Sequence, residues 1–330
     1  MNNVVRRRFL LLAGMLPAAA LVHAQGLAVT TARIGILVGG GFAQRGHLER
    51  ALLEGLREQG YVEGRNLVVE RRYADGHSDR VGEFARELGA MKLDAIVTTC
   101  SPTTRAAGQA ITVTPIVMAA VSDPVRQRLI ASLARPGANI TGLSSQAEDI
   151  LPKMLELFSG VLPHGAIVAV FVEGRSQVHP RMWQQLGPVA EALGLRLERI
   201  DIANPSALPS AFELALLRKA AAIFVLPDEP MFLTHRSTIV ELAARHRLPA
   251  FYGASEFVED GGLMSYGESL RASYRRAAFY IRHVAAGSRP ADLAVEQPSR
   301  FELVVNMKTA KELGVVVPQY ILMLADSVIE

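Results

Sequence analysis

The chain has 330 residues, 50% of them hydrophobic and 20% charged, which suits two medium-sized soluble domains with substantial cores and excludes a bundle of membrane spans. Its formal net charge of +3 is no sign of a nucleic-acid partner: three arginines sit at Arg6, Arg7 and Arg8 with no acid near them, and without residues 1–24 the chain would hold 32 basic and 32 acidic residues. The single cysteine, Cys100, excludes an internal disulfide and a cysteine-rich metal site.

Residues 1–24 read as a secretory signal. Arg6-Arg7-Arg8 precedes an apolar run from Phe9 to Val22, and Val22-His23-Ala24 offers a small-x-small cleavage site. The apolar run falls short of the ~20 residues a span needs. Arg6-Arg7 with Phe9-Leu10 fits twin-arginine export, and the same charge suits a Sec signal. No cysteine follows to carry a lipid, so the expected location is free in the periplasm.

Beyond a linker over 25–31 the patterns alternate strand and helix. RIGILV (33–38) predicts a first strand, Gly39-Gly40-Gly41 a flexible turn, and Leu48, Leu52 and Leu56 one face of a helix ended by Gly60. NLVVERRY predicts a second strand near a sheet edge. Ser78 is the expected cap of a helix with Val81, Phe84, Ala85 and Leu88 on one stripe.

The stretch from Asp94 to Pro124 predicts a strand, a helix and a strand. DAIVTT is short and β-branched, as in a parallel strand buried on both faces, and stops at Ser101-Pro102, a cap followed by a first-turn proline. PIVMAAV then stops at Ser122-Asp123-Pro124, which predicts a second helix N-terminus at the same carboxyl edge, where open α/β sheets bind ligands. The segment ARPGANITGLSS breaks the rhythm and reads as a first crossing between domains.

A second α/β series follows: a helix over 153–158, strand 166–172, helix 180–193, strand RLERIDI, helix 209–219, strand AAIFVLP, helix 231–246 and strand PAFYG. GLMSYG reads as another crossing. Leu270, Tyr274, Ala277, Ile281 and Val284 then mark a helix face, and LAVEQPSRFELVVN with a short helix over 309–313 closes the chain. The predicted fold is α/β: two Rossmann-like doubly wound lobes joined by a multi-strand hinge. Residues 31–142 plus 264–290 form lobe 1, and 143–263 plus 291–330 form lobe 2.

The segments SDPVRQRLIASLARPGANITGLSS, ELAARHRLPAFYGASEFVEDGGLMSYG and EQPSRFELVVNMKTAKELGVVVP resemble those of ABC transporter substrate-binding proteins of the tryptophan/tyrosine-type family. The likeness runs over nearly all of residues 31–330, although many members carry Gly where this chain has Ser122 and lack Cys100. It implies a type I periplasmic-binding fold and a receptor that closes on a small molecule, an amino acid, aromatic ones included. The implied partners are a membrane permease and its ATPase on separate chains, with the receptor itself monomeric. Alternatives are a non-amino-acid solute and a ligand-sensing module for a membrane regulator.

An amino acid requires donors for its carboxylate, an acceptor for its ammonium and a surface for its side chain. Ser101, Thr103 and Thr104, at a helix N-terminus, suit the carboxylate, and capping the helix uses the same geometry. Ser122 lies at the neighbouring strand end. Asp123, Asp228 and Glu256 are the candidate ammonium partners, each of which could equally be a structural cap. Phe42, Tyr252 and Tyr266 could flank an apolar side chain or serve packing alone.

Enzyme readings fare badly. Gly41 to Gly46 has the glycines of a P-loop, but His47 follows where the lysine belongs, and Gln44 breaks the dinucleotide pattern. Gly253-Ala-Ser255-Glu-Phe257 lacks the second glycine of a nucleophile elbow. Cys100 reads as a buried structural thiol, and the eight histidines show no ligand spacing. The sequence therefore predicts no catalytic residue, no metal and no cofactor.

Overall fold

The computed structural model describes residues 31–330, so the expected signal at 1–24 lies outside the described residues. Lobe 1 begins with β1 (Ala32–Val38), α1 (Phe42–Glu58), β2 (Leu67–Tyr73), α2 (Ser78–Ala90), β3 (Ala95–Thr98), α3 (Ser101–Ala110), β4 (Ile116–Ser122) and β5 (Ile140–Ser145). Its five strands run parallel in the order β2-β1-β3-β4-β5, which puts β2 at the edge. The central strands β3 and β4 are buried throughout, as continuous apolar runs covered on both faces require.

Lobe 2 holds α4 (Leu151–Ser159), β6 (Ile167–Glu173), α5 (His179–Ala192), β7 (Arg196–Ile202), α6 (Leu208–Leu217), β8 (Ala222–Val225), α7 (Pro230–Thr234), α8 (Arg236–Arg245), β9 (Ala250–Tyr252), α9 (Ser255–Glu259) and β10 (Met264–Glu268). The chain returns to lobe 1 as α10 (Leu270–Ala285), which packs along α1 and over β4. It ends in lobe 2 with β11 (Phe301–Asn306), α11 (Met307–Leu313), α12 (Gln319–Leu324) and β12 (Ser327–Ile329). The seven strands of this lobe lie in the order β12-β11-β10-β9-β8-β6-β7, with only the β10–β11 pair antiparallel.

Each sheet separates two apolar clusters. In lobe 1, Leu48, Leu52 and Leu56 of α1 meet Tyr274, Ala277 and Ile281 of α10 on one face, while Val81, Ala85 and Leu88 of α2 cover the other. In lobe 2, Met154 and Phe158 of α4 and Met182 and Leu186 of α5 lie on one face, with Phe212 of α6 and Ile239 of α8 opposite.

Several local expectations give way to the tertiary structure. Asn139–Leu143 is no free crossing: residues 140–145 are β5, an edge strand paired to β4. Residues 264–268 belong to the second sheet as β10. The last strand of the first sheet ends at Ser145, α10 follows β10 at Leu270, and the Glu296 backbone bridges Leu143 of β5.

Ser122-Asp123-Pro124 opens no helix. Asp123 takes φ 34, and a single turn, closed by the Gln127 N–H donating to the Asp123 carbonyl at 3.0 Å, is not continued. The helix expected over 231–246 is broken at His235 into α7 and α8. The cap positions of α2 and α3 are His77 and Cys100, one residue ahead of the expected Ser78 and Ser101.

Candidate functional site

The carboxyl ends of β1, β3 and β4 in lobe 1 face those of β8, β9 and β10 in lobe 2 across a cleft with about 780 Å³ of empty space, its open mouth included. Lobe 1 contributes Arg45 from α1, Thr99 and Cys100 from the β3–α3 junction, and Leu270 and Tyr274 from α10. Lobe 2 contributes Asp228, Glu229, Phe232, Phe257, Glu268 and Phe301, and the crossing after β5 adds Gln146 and Ile150. The walls are largely apolar, and among the described residues the basic and carboxyl side chains that line them are Arg45, Asp228, Glu229 and Glu268.

Two of these define a polar axis across the cleft. Arg45 is only 6% exposed, and its Nε has no hydrogen-bond partner, while Nη2 reaches the Pro230 carbonyl of lobe 2 at 3.5 Å. Opposite, Asp228 follows β8 with φ 72, a left-handed conformation that a short polar side chain tolerates. The Ser101 hydroxyl donates to its Oδ2 at 3.2 Å across the lobes and accepts from Gln127 Nε2 at 2.9 Å.

Burial, reinforced by the nearby acids Glu268 and Glu148, pushes the Asp228 carboxyl up to about 8 against the opposing Ser101 bond. Burial likewise pushes Glu229 up to about 8 and Glu268 up to about 7. These are carboxyls without a dedicated cation in a place that disfavours charge.

The Asp228 loop is held from behind by His179, fully buried at the start of α5. Its Nδ1 accepts the Glu173 N–H at 2.9 Å and its Nε2 meets the Pro227 carbonyl at 2.8 Å. Since an N–H can only donate and a carbonyl only accept, these partners select the neutral tautomer with hydrogen on Nε2. Burial agrees, drawing His179 down to about 4. The ring stacks on Phe232, a wall of the cleft, with centroids 5.9 Å apart.

The lobes touch directly where α7 sits on the β1–α1 turn. A Cβ built on Gly40 would lie 2.4 Å from Thr234 Oγ1, and one on Gly39 would lie 3.3 Å from both Cys100 Sγ and Pro230 Cβ. Glycine at these positions is what lets lobe 2 approach.

The residues singled out from sequence separate into three groups. Asp228 lines the cleft and Ser101 is bonded to it. Phe42 and Glu256 lie instead in a second, polar pocket at the rim, with His47, Arg50, Arg236 and Arg271. There His47 Nε2 and Glu256 Oε1 pair between the lobes at 3.3 Å; burial, the largest single influence, raises the Glu256 carboxyl, but the His47 bond and charge, a backbone N–H of its own helix start and the charge of Arg271 together leave the net shift downward.

The remaining candidates do not line the cleft. Thr103 Oγ1 accepts the N–H groups of Thr99 and Cys100 at 3.1 and 3.2 Å, and Thr104 bonds Thr98 at 2.7 Å, so both hydroxyls are spent on the helix start. Ser122 is buried, and its carbonyl accepts from Gln127. Asp123 pairs with Arg126 at 2.6 Å on the surface side of its turn. Tyr252 is fully buried in lobe 2, stacked on Phe257 at 4.5 Å, and Tyr266 packs against Phe301 at 5.9 Å.

Sequence reasoning missed Arg45, Glu229, Glu268 and Tyr274. Glu229 and Glu268 stand at the ends of lobe-2 strands and were accessible to the logic that singled out Asp228. Arg45 sits one turn into α1, where only the packing turns it inward.

A family profile described as ABC transporter substrate binding protein matches residues 45–329. A tyrosine-binding protein of Clostridioides difficile is 24% identical over 266 residues, 80% of this chain and 76% of that protein. Among solved structures, a conserved domain protein from Vibrio cholerae superposes with a TM-score of 0.82 at 27% identity, covering 91% of this chain and all of that one. A domain from Streptococcus pneumoniae in complex with L-Trp gives 0.79 at 26% identity over 90% of this chain and all of that one. With two α/β lobes closed over an apolar cleft and a family match across both, the chain belongs to the ABC transporter substrate-binding proteins of type I periplasmic-binding fold.

Proposed function

We propose that this protein is a periplasmic receptor that closes on a small amine-bearing solute, an amino acid by the simplest reading, and hands it to a membrane permease powered by a separate ATPase. One observation carries the reading. In a single apolar cleft, the buried Arg45 guanidinium of lobe 1, with Nε unpartnered, stands across from the Asp228 carboxyl of lobe 2. A carboxylate on Arg45 and an ammonium on Asp228 would tie the lobes together, so solute binding would draw the open–closed equilibrium toward the closed form. The L-Trp complex of the Streptococcus pneumoniae domain and the naming of the Clostridioides difficile relative support the amino-acid class. No helix among the described residues is long and apolar enough to cross a membrane, which leaves passage across it to other chains.

Mass spectrometry of small molecules released by denaturing the purified protein, followed by calorimetry with the candidates, tests the reading. An amine-bearing solute is expected, and Asp228→Ala should weaken it by more than ~1.4 kcal/mol, a tenfold loss. If no amino acid gives heat or a thermal shift, the amino-acid reading fails. If the variant binds unchanged, Asp228 leaves the site.

A further inference from the structure

Among the described residues that line the cleft, acids outnumber bases, and the surplus bears on the solute. Resting on the reading of the cleft as the solute site, we infer that the solute is net cationic: an apolar-bodied amine with at least one more positive than negative charge. Three carboxyls, Asp228, Glu229 and Glu268, line the cavity against one guanidinium, Arg45. A zwitterion leaves that balance where it was. Its carboxylate would take Arg45 and its ammonium one acid, with two acids still enclosed that stay uncharged only by holding protons, whereas a second cationic group would give one of them a partner.

The fold supplies no substitute. Among the described residues, Asp228 and Glu268 receive hydroxyl donors, Ser101 at 3.2 Å and Ser273 at 3.0 Å, and no side-chain cation is bonded to either. Three acids nearer the surface are held differently: Glu63 by Arg71, Glu296 by Arg276 and Asp326 by Arg300, and each carboxyl is drawn below its ordinary range by that bond. Further acids add to the field in the cleft, Glu148 acting on Asp228 and Glu173 on Glu229.

The buried, unpartnered Nε of Arg45 asks in addition for an acceptor, which a carboxylate, a carbonyl or an aromatic face provides. Ile150, Phe232, Phe257 and Tyr274 provide apolar surface for the body. A basic amino acid and an aromatic amine both meet these demands. They share the net positive charge that the surplus of acids favours.

Calorimetry on the full mature chain at about pH 7.5, where amines carry their proton, separates the possibilities with two matched pairs. Lysine against norleucine adds one cation to a common chain, and tryptamine against tryptophan removes one carboxylate from a common indole. The cationic member of at least one pair is expected to bind at least tenfold tighter, and Glu268→Gln to shrink that ratio. The fold of the variant is checked by its melting curve; should it not fold, the charge preference of the unaltered protein decides alone. Equal or tighter binding of the zwitterion in both pairs overturns the inference and leaves the amino-acid receptor reading standing. If no member of either pair binds, both fall.

Discussion

Asp228 and His179 show how one residue's chemistry depends on a neighbour distant in sequence. Asp228 is recognisable from sequence as an acid at the end of an apolar strand, and its conformation at φ 72 leaves its carboxyl bonded to Ser101 of the other lobe. That conformation is sustained by the His179 bond to the Pro227 carbonyl. Removing the imidazole strands a buried N–H and a buried carbonyl. His179→Ala should therefore lower unfolding free energy in urea by about 1–3 kcal/mol and weaken solute binding, because the Asp228 loop loses its anchor. The wild-type contribution should be complete above about pH 6.5 and be lost as pH falls through about 4, since protonation of His179 breaks its bond from the Glu173 N–H. Urea titrations across that range read both.

At the scale of elements, the β1–α1 turn and α7 form a seat and the segment that rests on it. Neither Gly39 nor Gly40 is among the positive-φ glycines, so their backbone would accept alanine; the obstacle at Gly40 is Thr234 of the opposite lobe. Gly40→Ala should hold the cleft ajar. Solute binding should weaken about tenfold, and small-angle scattering with solute present should show a larger radius of gyration than wild type. Gly187→Ala, in α5 with nothing within 4 Å of the added carbon, serves as the control and should leave binding unchanged. Wild-type affinity and compaction in Gly40→Ala would dismiss the seat.

Most elements were legible in the sequence because their periodicity is local. β7 matches the run RLERIDI, and the stripes of α2 and α10 are buried as their spacing predicts. What was not legible depended on pairing. ITGLSS is extended in either reading, and only β4 beside it makes it a strand. Ser122-Asp123-Pro124 has the composition of a helix start, yet the left-handed Asp123 and the bonds from Gln127 turn the chain into a loop.

For the molecule as a whole, closing the cleft is linked to protons. With the cleft open to water, Asp228, Glu229 and Glu268 ionise in the ordinary carboxyl range near ~4; with it closed and empty, burial pushes them up to about 8, about 8 and about 7. Closing the empty receptor therefore takes up protons. The empty closed form carries no penalty below the ordinary range, becomes progressively less favoured as pH rises, and bears the full penalty above about 8. Ser101 and Arg45 on Asp228, Ser176 on Glu229 and Ser273 on Glu268 oppose the shifts without cancelling them. Small-angle scattering of the ligand-free protein should thus give a smaller radius of gyration at acid pH than above pH 8. A radius independent of pH would remove the acids from the closing equilibrium.

The sequence by itself determined the α/β class, the two lobes, the order of nearly all elements and the strand ends where a ligand would be met, because hydrophobic period and turn residues act over a few neighbours. The tertiary structure decided which side chains face the cleft. It sent Thr103 and Thr104 to their own helix, Tyr252 to the core and Glu256 to the rim, and brought Arg45, Glu229 and Glu268 beside Asp228. The direction of a side chain and its distance from one 180 residues away follow from how the lobes pack, which no local pattern encodes.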